Sequence, residues 1–144
     1  GHGYTYSSHP IGAAAALANL DIIENEQLVA AASVRGEHLH KRLQAAFAEH
    51  PLVAEIRGFG LIGAIEFVKR KDPPIAFDSK LTVGARVSKR ALSGGVVTRA
   101  LPNADSIAFS PPLIISESEI DDVVKVVREA VDDIHGELVS EGQI

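Results

Sequence analysis

The first ten residues read Gly-His-Gly-Tyr-Thr-Tyr-Ser-Ser-His-Pro. Two glycines, three Ser/Thr hydroxyls, two tyrosines and two histidines stand together there, directly before an alanine-rich run from Ile11 to Leu20. Small residues let backbone N–H groups come close to a ligand, hydroxyls add donors, and a following helix adds the positive end of its dipole. That set suits a phosphate or another anion. The same residues also suit an ordinary helix entry, with Ser8 or His9 capping and Pro10 at the first helical position.

Arg99 is a second candidate, at the end of an expected strand Gly95–Arg99. A guanidinium fixed at a strand end can grip a carboxylate through two parallel hydrogen bonds. The plainer reading is a solvated surface arginine. Gly58-Phe59-Gly60-Leu61-Ile62-Gly63 matches G-x-G-x-x-G, but a dinucleotide fingerprint needs a helix directly after it. Ala64–Val68 reads instead as a strand. These glycines are therefore expected to serve a turn and close backbone packing. His38 and His40 lie two apart on a helix and diverge, a poor metal pair. His50 is expected at a helix end, His135 on the polar side of the last helix, and His2 and His9 in structural roles. Ser7 and Ser8 lie near His9, but no G-x-S-x-G elbow frames them, so no hydrolase triad is expected.

His2-Gly3-Tyr4-Thr5-Tyr6-Ser7-Ser8-His9-Pro10 closely resembles a signature of the class III aminotransferases, pyridoxal-phosphate (PLP) enzymes of fold type I that include the omega-amino acid:pyruvate group. The family's segment usually has Gly where this chain has Ser8. Arg57-Gly-Phe-Gly-Leu-Ile-Gly-Ala-Ile-Glu66 resembles the strand-turn-strand that opens the family's C-terminal domain. Val97-Thr98-Arg99 and Ile107–Ser116 are similar to its C-terminal region. The resemblance implies that Thr5, with Tyr4 and Gly3 beside it, binds the PLP phosphate in the active site of the partner subunit of a homodimer. It implies that Arg99 binds a substrate carboxylate and can swing away for uncharged amines. The reaction implied moves an amino group from an amine or amino acid to a keto acid through PLP and PMP, with the cofactor as electron sink. An aminomutase or a decarboxylase of the same fold is an alternative, and so is a non-enzymatic α+β binding or dimerisation module.

That chemistry needs a desolvated Schiff-base lysine. Lys41, Lys69, Lys71, Lys80, Lys89 and Lys125 all fall on polar faces or loops, and the resemblance implies a lysine upstream of Thr5. The chain alone is thus expected to be inactive. It contains no methionine, so Gly1 is not expected to be the native start.

The elements that must hold these residues follow from periodicity. Ile11 to about Asn25 reads as a helix whose first half is apolar on every side, and such a helix is buried. Gln27 to about Glu49 continues helical, either as one long helix or as two with a break near Asn25. Leu28, Ala32, Leu39, Leu43 and Phe47 share its face, with Arg35, Glu37, Lys41 and Arg42 largely off it. Strands are expected at Val53–Arg57, Leu61–Val68, Val96–Ala100 and Ser106–Ser110. A short helix, Leu81–Leu92, is closed by Gly94 and Gly95. Ser116-Glu-Ser-Glu119 is a capping box before a helix whose face runs Ile120, Val123, Val124, Val127, Val131, Ile134 and Leu138. The sum is α+β, with helices on one face of a small, mainly antiparallel sheet. The resemblance divides it into residues 1–24, the end of a large PLP-binding domain with a long helix, and residues 25–144, a small C-terminal domain.

Composition narrows the field further. The chain has 144 residues, 46% of them hydrophobic, with a formal net charge of −5. An acidic chain of this size argues against a nucleic-acid or anionic-membrane surface. There is no cysteine for disulfide or thiol chemistry, and no apolar run reaches the ~20 residues a membrane span requires. No signal peptide is evident at Gly1, and a cytoplasmic location is expected.

Overall fold

The computed structural model describes residues 1, 3–101 and 105–144. His2 lies outside the described residues, as do Pro102, Asn103 and Ala104 of the expected loop Leu101–Asp105.

Helix α4, Glu117–Ser140, is the spine of the fold. Ser116 accepts from the Glu119 N–H while the Glu119 carboxylate accepts from the Ser116 N–H, so the expected capping box is formed. Of the expected face, Ile120, Val124, Val127, Val131, Ile134 and Leu138 are buried, with Ala130 between them, and Val123 packs against the core. Each large side chain so buried contributes roughly 1.5–3 kcal/mol.

Two helices lie against this spine. Helix α2, Leu28–Phe47, buries Leu28, Leu39, Leu43 and Phe47, the face read from the sequence. Helix α3, Val83–Ser93, buries Val83, Val87 and Ala91. The chain enters α3 through a 3-10 turn at Ser79–Leu81 and leaves it at Gly94, with Gly95 at φ +89°. Arg86 and Arg90 tie α3 to α4. Arg86 Nη2 reaches Glu137 and Glu141 at 2.7 Å each, Arg90 Nη1 reaches Asp133 at 2.8 Å, and Arg90 Nη2 also bonds Glu137.

The four strands are β1 Val53–Phe59, β2 Ile62–Phe67, β3 Arg99–Leu101 and β4 Ser106–Phe109. They form one antiparallel sheet in the order β1-β2-β4-β3. Gly63, Ile65 and Phe67 alternate inward on β2 and pair with the Ile107 and Phe109 side of β4. Helices α2 and α3 pack on that face. The other face carries Ala64, Glu66 and Ala108, which the helices leave half exposed.

The glycine pattern does serve packing. A Cβ on Gly36 of α2 would collide with the Gly60 backbone, and one on Gly58 would meet Ile62 O and sit 2.5 Å from His40 Cε1. His40 Nε2 lies 3.0 Å from Gly60 O. Helix α2 therefore rests directly on the hairpin turn, where Gly60 takes φ +53°.

Of the two readings of the helical run, the structure has two helices: α1, Pro10–Asn25, ends at the break expected near Asn25, before Gln27, which sits at φ +52°. Other expectations are corrected. Helix α1 contains no buried residue, so within this chain its apolar surface stays exposed apart from the half-buried Ile23. The strand expected at Val96–Ala100 is displaced: β3 begins at Arg99 rather than ending near it. Gly95 to Thr98 lead in without a ladder partner, because β3 pairs with β4 only through Arg99, Ala100 and Leu101.

Candidate active site

The N-terminal loop is exposed throughout its described part. Tyr4 to Ser7 close a turn, with Ser7 N–H donating to Tyr4 O at 2.9 Å and Tyr4 N–H donating to Ser7 Oγ at 2.8 Å. Thr5 lies inside that turn and makes no hydrogen bond among the described residues. Nothing among the described residues lies within 4 Å of a Cβ built on Gly3, so no contact among them accounts for a glycine there. Pro10 occupies the first turn of α1 as expected, but neither Ser8 nor His9 caps it. His9 is the N-cap residue without a side-chain cap bond, and Ser8 stands one place earlier at φ +62°. That is left-handed backbone, the region where a side chain costs and glycine does not.

Arg99 is exposed, on β3 at one edge of the sheet. It pairs across the ladder with Ala108, which pairs with Ala64, which pairs with Arg57. Directly opposed residues share a face, so both guanidiniums belong to the open face of the sheet. Arg57 Nη1 is clamped by Glu66 at 2.7 Å and Glu55 at 2.8 Å. The bond to Glu66 holds its pKa above the ordinary arginine value. Arg99 enters no ion pair among the described residues. It borders a cavity of about 430 Å³ whose lining includes Val97, Ala108, Phe109, Pro112 and Ile120. The arrangement is an apolar recess with one uncommitted cation at its mouth, able to hold a small carboxylate.

The structure does not bring the Thr5 loop and Arg99 together. Helix α1 packs on α2, while Arg99 belongs to the far edge of the sheet. The histidines diverge as expected. His38 Nε2 lies 2.8 Å from Asp121 Oδ1 on α4, while His40 turns to the hairpin. His135 is not simply on a polar side, since its ring meets His50 edge-on at 5.5 Å. His50 itself is 4% exposed, more enclosed than a helix-end residue is expected to be.

A protein family described as aminotransferase class-III matches residues 1–131. The chain belongs to this family. It is 49% identical over 142 residues to an uncharacterized aminotransferase of Sinorhizobium fredii, covering 99% of this chain and 30% of that protein. It is 44% identical over 144 residues to the diaminobutyrate--2-oxoglutarate transaminase of Halomonas elongata, covering 100% of this chain and 31% of that protein. The omega transaminase of Pseudomonas jessenii, solved in complex with PMP, superposes with a TM-score of 0.85 at 44% identity, over 93% of this chain and 29% of that one. The class III aminotransferase segment described here thus spans about 30% of the length of the curated relatives it matches.

Two features of the site escaped the sequence reading. The Glu55–Arg57–Glu66 clamp joins two strands whose register the sequence does not state. The bonds between Ser88 and Thr98 join an unpaired lead-in to a helix ten residues earlier. An Arg flanked at i−2 by Glu on a strand was the one local signal for the clamp.

Proposed function

We propose that the whole protein is a PLP-dependent transaminase, moving an amino group from an amine or amino acid to a keto acid. The observation that carries this is the family match over residues 1–131, which takes in both the Thr5 loop and Arg99. The full protein is a fold type I enzyme of the cytoplasm working as a homodimer. Residues 1–24 close its large domain, and residues 25–144 form its small one.

The residues present fit the cofactor. Thr5 offers a hydroxyl and an N–H with no described partner, in an exposed loop leading into the positive end of a helix, a donor set that matches a phosphate. Gly3 and Tyr4 shape its approach. The separation of this loop from Arg99 supports a site completed across two subunits, with Thr5 serving the partner. When bound, PLP supplies the electron sink. Arg99 holds the carboxylate of the amino acid or keto acid at the recess it borders, and swings away for an uncharged amine. The lysine that carries the cofactor is supplied upstream, so these 144 residues alone do not transaminate.

The test is the full-length protein with PLP, assayed for amino transfer from a panel of amines and amino acids to pyruvate and 2-oxoglutarate. Amino transfer with cofactor uptake supports the reading. Decarboxylation or amino migration without transfer to a keto acid replaces it by another class III activity.

A further inference from the structure

We infer that Ser88 is a positioning residue for Arg99. The inference rests on the reading of Arg99 as a carboxylate ligand. Ser88 Oγ donates to Thr98 O at 2.9 Å and accepts from Thr98 Oγ1 at 3.0 Å. Both hydrogen-bonding capacities of its hydroxyl that matter here go to the residue immediately before Arg99.

The tether acts where the chain is otherwise loose. Val96 N–H donates to Ala91 O at 3.0 Å, and the ladder resumes at Arg99. Between those points, among the described residues, the Ser88 bonds are the hydrogen-bonded hold on the backbone. Val97 is 83% exposed, so packing on that side adds nothing. A helical serine commonly turns its hydroxyl back to a carbonyl of its own helix. Ser93 of the same helix does so, donating to Lys89 O at 3.2 Å. Ser88 reaches out of the helix instead.

Helix α3 is a firm platform for that reach. Val83, Val87 and Ala91 are fully buried, Gly84 lies against the Ser106 backbone, and two arginines bind α4. A binding group must be held to within about half an ångström by neighbours that are themselves locked. The route runs from α4 through α3 and Ser88 to Thr98, and so to the base of the Arg99 side chain.

The experiment uses the full-length enzyme with PLP and measures kcat and KM separately for pyruvate and for benzylamine, which has no carboxylate. Ser88→Ala is expected to raise the KM for pyruvate about five- to tenfold. The KM for benzylamine and kcat should stay within about twofold, and Ser88→Thr, which keeps the hydroxyl, should restore the pyruvate KM. A purely structural role moves both substrates together, and that result overturns the inference. So does an unchanged pyruvate KM. Thr98→Val removes one of the two bonds and is the second probe if Ser88→Ala does not fold. It should raise the pyruvate KM about two- to threefold, and no rise rejects the tether. Arg99→Ala separates the two claims: if it leaves the pyruvate KM unchanged, the Arg99 reading fails and the inference goes with it. If Arg99→Ala raises that KM and Ser88→Ala does not, only the inference fails.

Discussion

Arg57 and Arg99 stand at the two ends of one row across the open face of the sheet, with Ala64 and Ala108 between them. Three strand spacings put their backbones about 14 Å apart. The residue type is shared and the electrostatics are not. Glu55 and Glu66 neutralise Arg57, while Arg99 faces its recess with its charge uncommitted.

This asymmetry makes the two arginines separable by substitution. Arg99→Ala in the full-length enzyme is expected to lower kcat/KM for substrates bearing a carboxylate by about 2–3 kcal/mol, roughly 30- to 150-fold, as for truncation of one partner of a charge pair. Benzylamine should be turned over nearly as before. Arg57→Ala should leave that preference untouched and cost at most about 1 kcal/mol of stability, because its ion pairs are partly exposed. Steady-state kinetics on the two substrate classes, with denaturant unfolding of both variants, checks the division.

Thr5 is expected to act on cofactor affinity rather than on substrate choice. Thr5→Ala removes one hydroxyl donor to an anion, a bond worth about 1.5–3 kcal/mol, so PLP should bind roughly ten- to 150-fold more weakly. Titration of the full-length apoenzyme with PLP, followed by absorbance, measures this. Equal affinity in the variant would show that the loop serves only as a helix entry. Ser8→Gly is a useful companion, since it relieves a φ of +62° and should leave cofactor affinity no lower than before.

The glycines give a test with opposite signs. Gly36→Ala places a Cβ against the Gly60 backbone, which cannot rotate away as a side chain can. A loss of about 1–3 kcal/mol is expected from that overlap, partly offset by the roughly 1 kcal/mol gain in helix propensity. Gly136, on the exposed face of α4, has nothing within 4 Å of a Cβ. Gly136→Ala should therefore stabilise by about 0.5–1 kcal/mol. Unfolding midpoints of the two variants moving in the same direction would contradict the close contact of α2 with the hairpin.

The parts of this fold legible in the sequence were those with local causes. Ser116 and Glu119 are three residues apart and cap their own helix, and the α4 face repeats at helical spacing, so both could be read directly. The glycines of residues 58–63 could be assigned to packing because Ala64–Val68 has the composition of a strand and not of a helix. Features with non-local causes were not legible. At Asn25–Gln27 no Gly or Pro fixes the break, so one helix and two both stood open, and it is Gln27 that adopts left-handed backbone. Val96–Thr98 has the β-branched composition of a strand but lacks a partner, so the ladder starts only at Arg99. The roles of Thr5 and Arg99 came through resemblance, because neither side chain has a hydrogen-bond partner among the described residues that would state what it binds.

His50 gives the fold a dependence on pH. Its Nδ1 accepts from Leu52 N–H at 3.2 Å, and its Nε2 lies 3.3 Å from Asp132 Oδ1. The ring is therefore neutral with its proton on Nε2, and protonating Nδ1 would break the bond from Leu52. Burial, with the nearby Arg128 charge second, holds the His50 pKa below the ordinary histidine value, despite the opposing pull of Asp132. The neighbouring His135 ring, edge-on at 5.5 Å, is a lesser cause acting in the same direction. A base with a depressed pKa in the folded state binds fewer protons there than in the unfolded chain, so stability rises with pH through this window. The contribution is complete above the unfolded value of about 6.5 and is lost as pH falls through the folded value. Asp132, whose pKa is lowered chiefly by its bond from Arg128, adds its own loss at still lower pH. Denaturant unfolding at intervals from pH 8 to pH 5 should show stability falling below about pH 6.5. His50→Gln should be less stable at pH 8 and should flatten that fall. A variant that declines as steeply as the parent would place the titrating group elsewhere.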